Sequence, residues 1–147
     1  MLMFACSGPK QPDIDQKEAE THDHTASPSH GETHHAELAS VQLNNGEKWE
    51  ANRETTEGIH RMEMLVDDFN GFSNTESLQT LKSQLDYEFN QIIEQCTMTG
   101  ESHEQLHNYL IPLKSMIDNI DKGNQKEQEK NYHDLQHHLQ MYASFFV

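Results

Sequence analysis

The chain has 147 residues, 33% of them hydrophobic, and a formal net charge of −15. That suffices for about one domain with a thin core, so part of the chain is expected to stay outside it. Ten Lys and Arg against 25 Asp and Glu exclude nucleic acid as a partner, because gripping phosphates takes clustered basic side chains. No apolar run approaches the roughly 20 residues of a transmembrane helix, and the acidic, His-rich balance favours cations or basic partners.

At the N-terminus, Met1-Leu2-Met3-Phe4-Ala5-Cys6-Ser7-Gly8 places a small residue before Cys6 and then turns polar. It resembles the cleavage box of a bacterial lipoprotein signal, although the basic and long apolar regions of a full leader are missing. Residues 1–6 are therefore expected to be a truncated signal remnant, with Cys6 as the lipidation residue and a lipid-anchored, periplasmic location. The alternative is a free cysteine in a floppy tail. On the lipoprotein reading Cys96 is left as the one unpaired thiol, vulnerable in an oxidising compartment unless buried or metal-bound.

Residues 7–43 carry prolines, acids and no hydrophobic period, the pattern of a disordered linker. His22, His24, His30, His34 and His35 lie within it. They suit low-affinity metal capture by a flexible arm, or equally a solvated spacer holding a domain off a membrane.

From residue 44 to 147 the period is helical. A first helix from about Trp49 to Phe69 repeats Ile59, Met62, Val66 and Phe69 at three- and four-residue steps, and Asn70-Gly71 ends it. Ser73 with Glu76 forms a capping-box pattern for a second helix, whose inner face is Leu78, Leu81, Leu85, Phe89, Ile92 and Cys96. Gly100 suits its C-terminus. Ser102 with Gln105 opens a third helix with Leu106, Leu110, Leu113, Ile117 and Ile120 inward, and Pro112 inside it leaves the Asn108 carbonyl without its helical donor. Lys122-Gly123 closes it, and Asn124 with Glu127 starts a fourth, carrying Tyr132, Leu135, Leu139, Tyr142 and Phe145. Short connections make the neighbours antiparallel, so an all-α, up-down-up-down four-helix bundle is expected.

That topology gathers Trp49 to Met64, Cys96 to Met98, His103 to His107 and His137 to Met141 at one end of the bundle. The other end, near residues 70–77 and 120–127, has no Cys, His or Met. His103 and His107 are four apart, on one helical face, as are His60 and Met64, while His133, His137 and Met141 repeat the step on the fourth helix. Cys96 continues the apolar stripe of its helix, and His103 continues that of Leu106 and Leu110. Cys96, Met98, His103 and His107 are thus the primary candidate metal ligands, with His60 and Met64 to complete the set. The bland reading of each is a small core hydrophobe, a solvated imidazole or a core methionine. Thiolate and thioether favour Cu(I), or similar silver, over zinc. No phosphate loop, nucleophile elbow or zincin motif is present, so no enzymatic activity is expected.

The block Cys96-Thr97-Met98-x-Gly100-x-x-His103-x-x-Leu106-His107-x-Tyr109-Leu110-x-Pro112 resembles a signature of small periplasmic lipoproteins encoded beside copper or heavy-metal efflux systems. Asn44-Asn45-Gly46-x-Lys48-Trp49-x-Ala51-Asn52 is similar to the pattern that opens their helical domain. The resemblance spans about residues 41–147 and implies a helical bundle with a role near metal handling, an efflux component being a possible partner. Two other classes stay open. One is a noncovalent haem bundle using Met62 or Met64 with His137 or His138. The other is an adaptor bundle that docks on an efflux system and holds no metal.

Overall fold

The structure is a computed structural model that describes residues 40–147 apart from Ser73. Cys6 and the histidine tract from His22 to His35 lie outside the described residues. Four helices follow one another: α1 Arg53–Asp67, α2 Thr75–Gln95, α3 Gly100–Asn119 and α4 Gln125–Phe145. Each packs on its sequence neighbour, and α1 also packs on α4, which closes the ring of a four-helix bundle. No helix among the described residues is long and apolar enough to cross a membrane.

The buried positions follow the three- and four-residue period: Ile59, Met62 and Val66 on α1, then Leu78, Leu81, Leu85, Phe89 and Ile92 on α2. Leu106, Tyr109, Leu110, Leu113 and Ile117 on α3 and Tyr132, Leu135, Leu139 and Tyr142 on α4 continue the core, which Trp49, Ile120 and Phe146 join from outside the helices. Removing these faces from water is the main favourable term in folding. Gly58 brings α1 and α2 close, because a Cβ there would stand 2.5 Å from Ile92 Cγ1.

Antiparallel order is fixed by contacts at both ends. At one, Asn52 Nδ2 donates to the Gln95 carbonyl (3.2 Å), the Gln42 amide donates to Gln105 Oε1 (2.7 Å), and the Trp49 amide donates to the Phe145 carbonyl (2.8 Å). At the other, Lys82 Nζ meets Asp121 Oδ1 at 2.9 Å and the Tyr132 hydroxyl donates to the Val66 carbonyl at 2.6 Å. Burial alone would raise the Asp121 carboxyl, but the Lys82 ammonium outweighs it and holds the group below its ordinary range.

Before α1, Asn45 (φ 52°) and Gly46 (φ 93°) form a tight turn closed by paired Asn44–Glu47 backbone bonds of 2.9 Å each. Trp49 then enters the core, its indole donating to the Gln42 carbonyl at 2.6 Å.

The helix starts differ from expectation in three places. First, α1 begins at Arg53 rather than Trp49, because residues 49–51 pair with the C-terminal backbone instead. Second, α2 is capped by Asn74, whose side chain accepts from the Glu76 amide at 2.9 Å. Third, Gly100 does not end α2, which stops at Gln95. It opens α3 with φ +69°, a left-handed conformation that glycine takes without strain. Ser102 therefore lies inside α3, and Gln105 is spent on Gln42 rather than on a capping box. The Asn124–Glu127 capping box of α4 is present as expected.

Candidate metal centre

Between Gln95 and Gly100 the chain turns back in extended form, with Cys96 at φ −67°, ψ 121° and Thr99 at φ −144°, ψ 164°. This link places the thiol of Cys96 opposite the first turn of α3. Cys96 Sγ lies 3.7 Å from His103 Nδ1, and both residues are half-buried. One helical turn further, His107 Nε2 lies 3.0 Å from His103 Nε2, with the rings T-shaped and centroids 4.5 Å apart. His107 is exposed. The three side chains form a relay: sulfur to one ring nitrogen of His103, the other ring nitrogen to His107.

Met98, two residues along the same link, is half-buried and, like Cys96, packs against the core. Beneath the link lies an aromatic layer. Tyr109 and Tyr142 meet edge to face at 5.4 Å, and Tyr142 stacks on Phe146 at 5.0 Å. Burial raises the Tyr142 phenol, its 2.9 Å bond with Thr56 Oγ1 works against this, and the Cys96 thiol adds to the rise. Cys96 itself is half-buried and packed against the core.

The spacing can be tested against an ion. Metal–sulfur and metal–nitrogen bonds of about 2.3 and about 2.0 Å hold S and N about 3.5 Å apart at a tetrahedral angle, about 3.7 Å at a trigonal one and about 4.3 Å in a linear pair. The observed 3.7 Å fits a three- or four-coordinate ion with Cys96 Sγ and His103 Nδ1 as two of its ligands. A thiol, an imidazole and a nearby thioether are the donors soft and borderline metals take. Among the described residues no three His, Cys, Asp or Glu side chains converge on one point. The reason is geometric: His107 sits at the far edge of the His103 ring from the sulfur.

His60 and Met64 are not brought to this corner. Counted from Arg53, they stand about 10 and about 17 Å along the α1 axis, at 1.5 Å per residue. His60 is exposed, with its charge acting on Glu63, whose carboxyl is raised chiefly by burial. Met64 is 64% exposed and lines a groove of about 580 Å³ with Leu65, Phe69 and Leu81. Among the described residues, no Cys or His lines this groove. Offsets of about two and about three helical turns separate His60 and Met64 from the end expected to gather all of Trp49 to Met64.

The fourth helix also differs. His133 and His137 are exposed. His138 is committed to structure: its Nε2 donates to the Tyr109 carbonyl at 3.0 Å, and its ring stacks on Tyr109 at 4.5 Å. In return the Tyr109 hydroxyl donates to the backbone carbonyls of His138 and Leu139 at 3.1 and 3.3 Å. This clamp sits in the α3 turn where Pro112 removes a backbone donor. Burial, more than the charge of His137, lowers the His138 pKa, and the bond to Tyr109 works against it. Met62 is fully buried in the core. Among the described residues, Met62 and His138 are thus both engaged in packing.

Comparison with protein-family models, with curated proteins and with solved structures finds no match to this chain.

Proposed function

We propose that this chain is a non-enzymatic, extracytoplasmic metal-binding protein that sequesters or hands over Cu(I) or a similar soft ion. The observation that carries the reading is the 3.7 Å approach of Cys96 Sγ to His103 Nδ1 at a half-buried corner. Met98 beside it supplies a thioether, the donor that separates Cu(I) from zinc preference. The histidines from His22 to His35 would gather ions near that corner, and lipidation at Cys6 would hold the domain at a periplasmic membrane surface. An efflux component would be the natural donor or acceptor of the ion.

The test is competition for Cu(I) against a chromophoric chelator under anaerobic conditions, using the full chain. About one tightly held equivalent is expected in the bundle, with weaker ions on the arm. Cys96→Ala should lose the tight equivalent. Retention of that equivalent in Cys96→Ala would overturn the site, and no tight binding by the parent chain would overturn the function.

An adaptor role has one supporting feature. Ile93 (48% exposed) and Ile111 (62% exposed) line, with His107, a groove of about 510 Å³ between α2 and α3. On that reading Ile111→Asp removes docking while copper uptake is irrelevant.

A further inference from the structure

We infer that His107 is a positioning residue for His103 and not a ligand, so that the ion is held by Cys96 Sγ and His103 Nδ1 with His107 behind them. The inference rests on the metal reading above and assigns roles within it. Spacing alone treats the pair His103 and His107 as two equal ligands on one helical face. The side-chain geometry separates them.

His103 offers its two ring nitrogens to different neighbours. Nδ1 faces the sulfur at 3.7 Å and Nε2 faces His107 Nε2 at 3.0 Å. The lone-pair directions of the two nitrogens diverge, so an ion shared with the sulfur lies on the Nδ1 edge. His107 is on the opposite edge and would have to leave its hydrogen bond and pass around the ring to reach it. Its own place fits another task. A neutral imidazole coordinating through Nδ1 carries its proton on Nε2, and a ligating histidine is held in that tautomer by an acceptor for the proton. His107 Nε2 is such an acceptor, at ordinary hydrogen-bond length.

In the metal-free chain the His103–His107 bond can run in either direction, because each ring has one donor and one acceptor nitrogen in its neutral form. Metal on Nδ1 selects one direction: His103 donates and His107 accepts. His107 then directs its remaining N–H to water, consistent with its exposure. The third ligand is left to Met98 or solvent.

The experiment compares the full-length parent chain with His103→Ala, His107→Ala and His107→Gln. It uses anaerobic Cu(I) competition and X-ray absorption at the copper edge. His103→Ala should lose the tight equivalent. His107→Ala should keep it, weakened about 10–100-fold, as for loss of an outer-shell partner of a metal-bound histidine, with the sulfur and nitrogen shells around copper unchanged. His107→Gln, whose carbonyl accepts the same proton, should recover most of the affinity. The assignment is overturned if His107→Ala loses the equivalent or a nitrogen from the copper shell. It is overturned equally if that variant binds as tightly as the parent, or if Gln rescues no better than Ala. Failure of the parent chain to bind Cu(I) overturns both this assignment and the metal reading. A failure confined to the His107 variants leaves Cys96 and His103 in place.

Discussion

The two ends of the bundle solve the same problem in different ways. Helices α2 and α4 start at the end marked by Phe69, Phe72 and Tyr132, and each is capped by an asparagine side chain, Asn74 or Asn124. Helices α1 and α3 start at the Cys96 end, and neither Asn52 nor Thr99 makes a side-chain cap bond. Asn52 instead accepts from Thr55 Oγ1 and donates to Gln95, tying α1 to the exit of α2. The far end is sealed by rings: Phe72 meets Tyr132 edge to face at 4.8 Å, and Phe69 meets Phe72 at 5.2 Å. The near end has aromatics below but a thiol and two imidazoles above. One end puts its polar side chains into closing helices, and the other leaves them facing each other, where an ion can compete for them.

If that contrast is right, damage at the far end should show in stability, and damage at the Cys96 corner should show in copper binding. The largest stability loss is expected from Tyr132→Ala, about 3–5 kcal/mol by urea unfolding, as for truncation of a large buried aromatic. Its folded fraction should bind Cu(I) like the parent. Next comes Gly58→Ala, which forces a methyl into Ile92 between α1 and α2. About 1–3 kcal/mol of overpacking is expected, less what the better helix propensity of alanine returns. Asn124→Ala removes a capping box and should cost about 1 kcal/mol, again with copper affinity unmoved.

The clamp predicts a pH effect with a definite sign. Burial lowers the His138 pKa below its ordinary 6.5, so the unfolded chain binds this proton more readily than the folded one. The contribution is present above about pH 6.5 and is lost as pH falls toward the lowered folded value. His138→Gln should lower stability at neutral pH and flatten its decline through that window, measured by urea titration at several pH values. The smallest change in stability is expected from Cys96→Ser, within about 0.5 kcal/mol, although it should remove the tight copper equivalent. A large loss of stability there would make Cys96 a core residue first and would blur the contrast between the ends.

Much of the bundle could be read from residue order because its information is local. The buried faces of α1 to α4 recur at helical spacing, and Asn124 and Glu127 are close enough in sequence to cap by themselves. The start of α3 was not readable this way. Gln105, which looks like half of a capping box with Ser102, is drawn off by the Gln42 amide, 63 positions away. The meeting of Cys96 and His103 follows from the register of two stripes across a short link, and it was legible. The opposed roles of His103 and His107 were not, since spacing says that two rings share a face but not which nitrogen each presents. His60 and Met64 failed for a simpler reason, the rise per residue along α1. The Tyr109–His138 clamp had half a signal in Pro112, which marks a weakened turn of α3, while the side chain that supports that turn comes from another helix.

Residues Trp49 and Ala51 are hydrogen-bonded to Phe145 and Val147 along the edge of the domain. The Trp49 and Ala51 amides donate to the Phe145 and Val147 carbonyls (2.8 and 3.0 Å), and the Val147 amide returns to the Trp49 carbonyl at 3.0 Å. Mechanically, these bonds form a fastening between the entry strand and the last residues of the fold. A pull transmitted from residues upstream of Ser40 would load this fastening and the indole anchor of Trp49 before it reached the first turn of α1. The Gln42 amide, bonded to Gln105, would divert part of that load into α3 between His103 and His107.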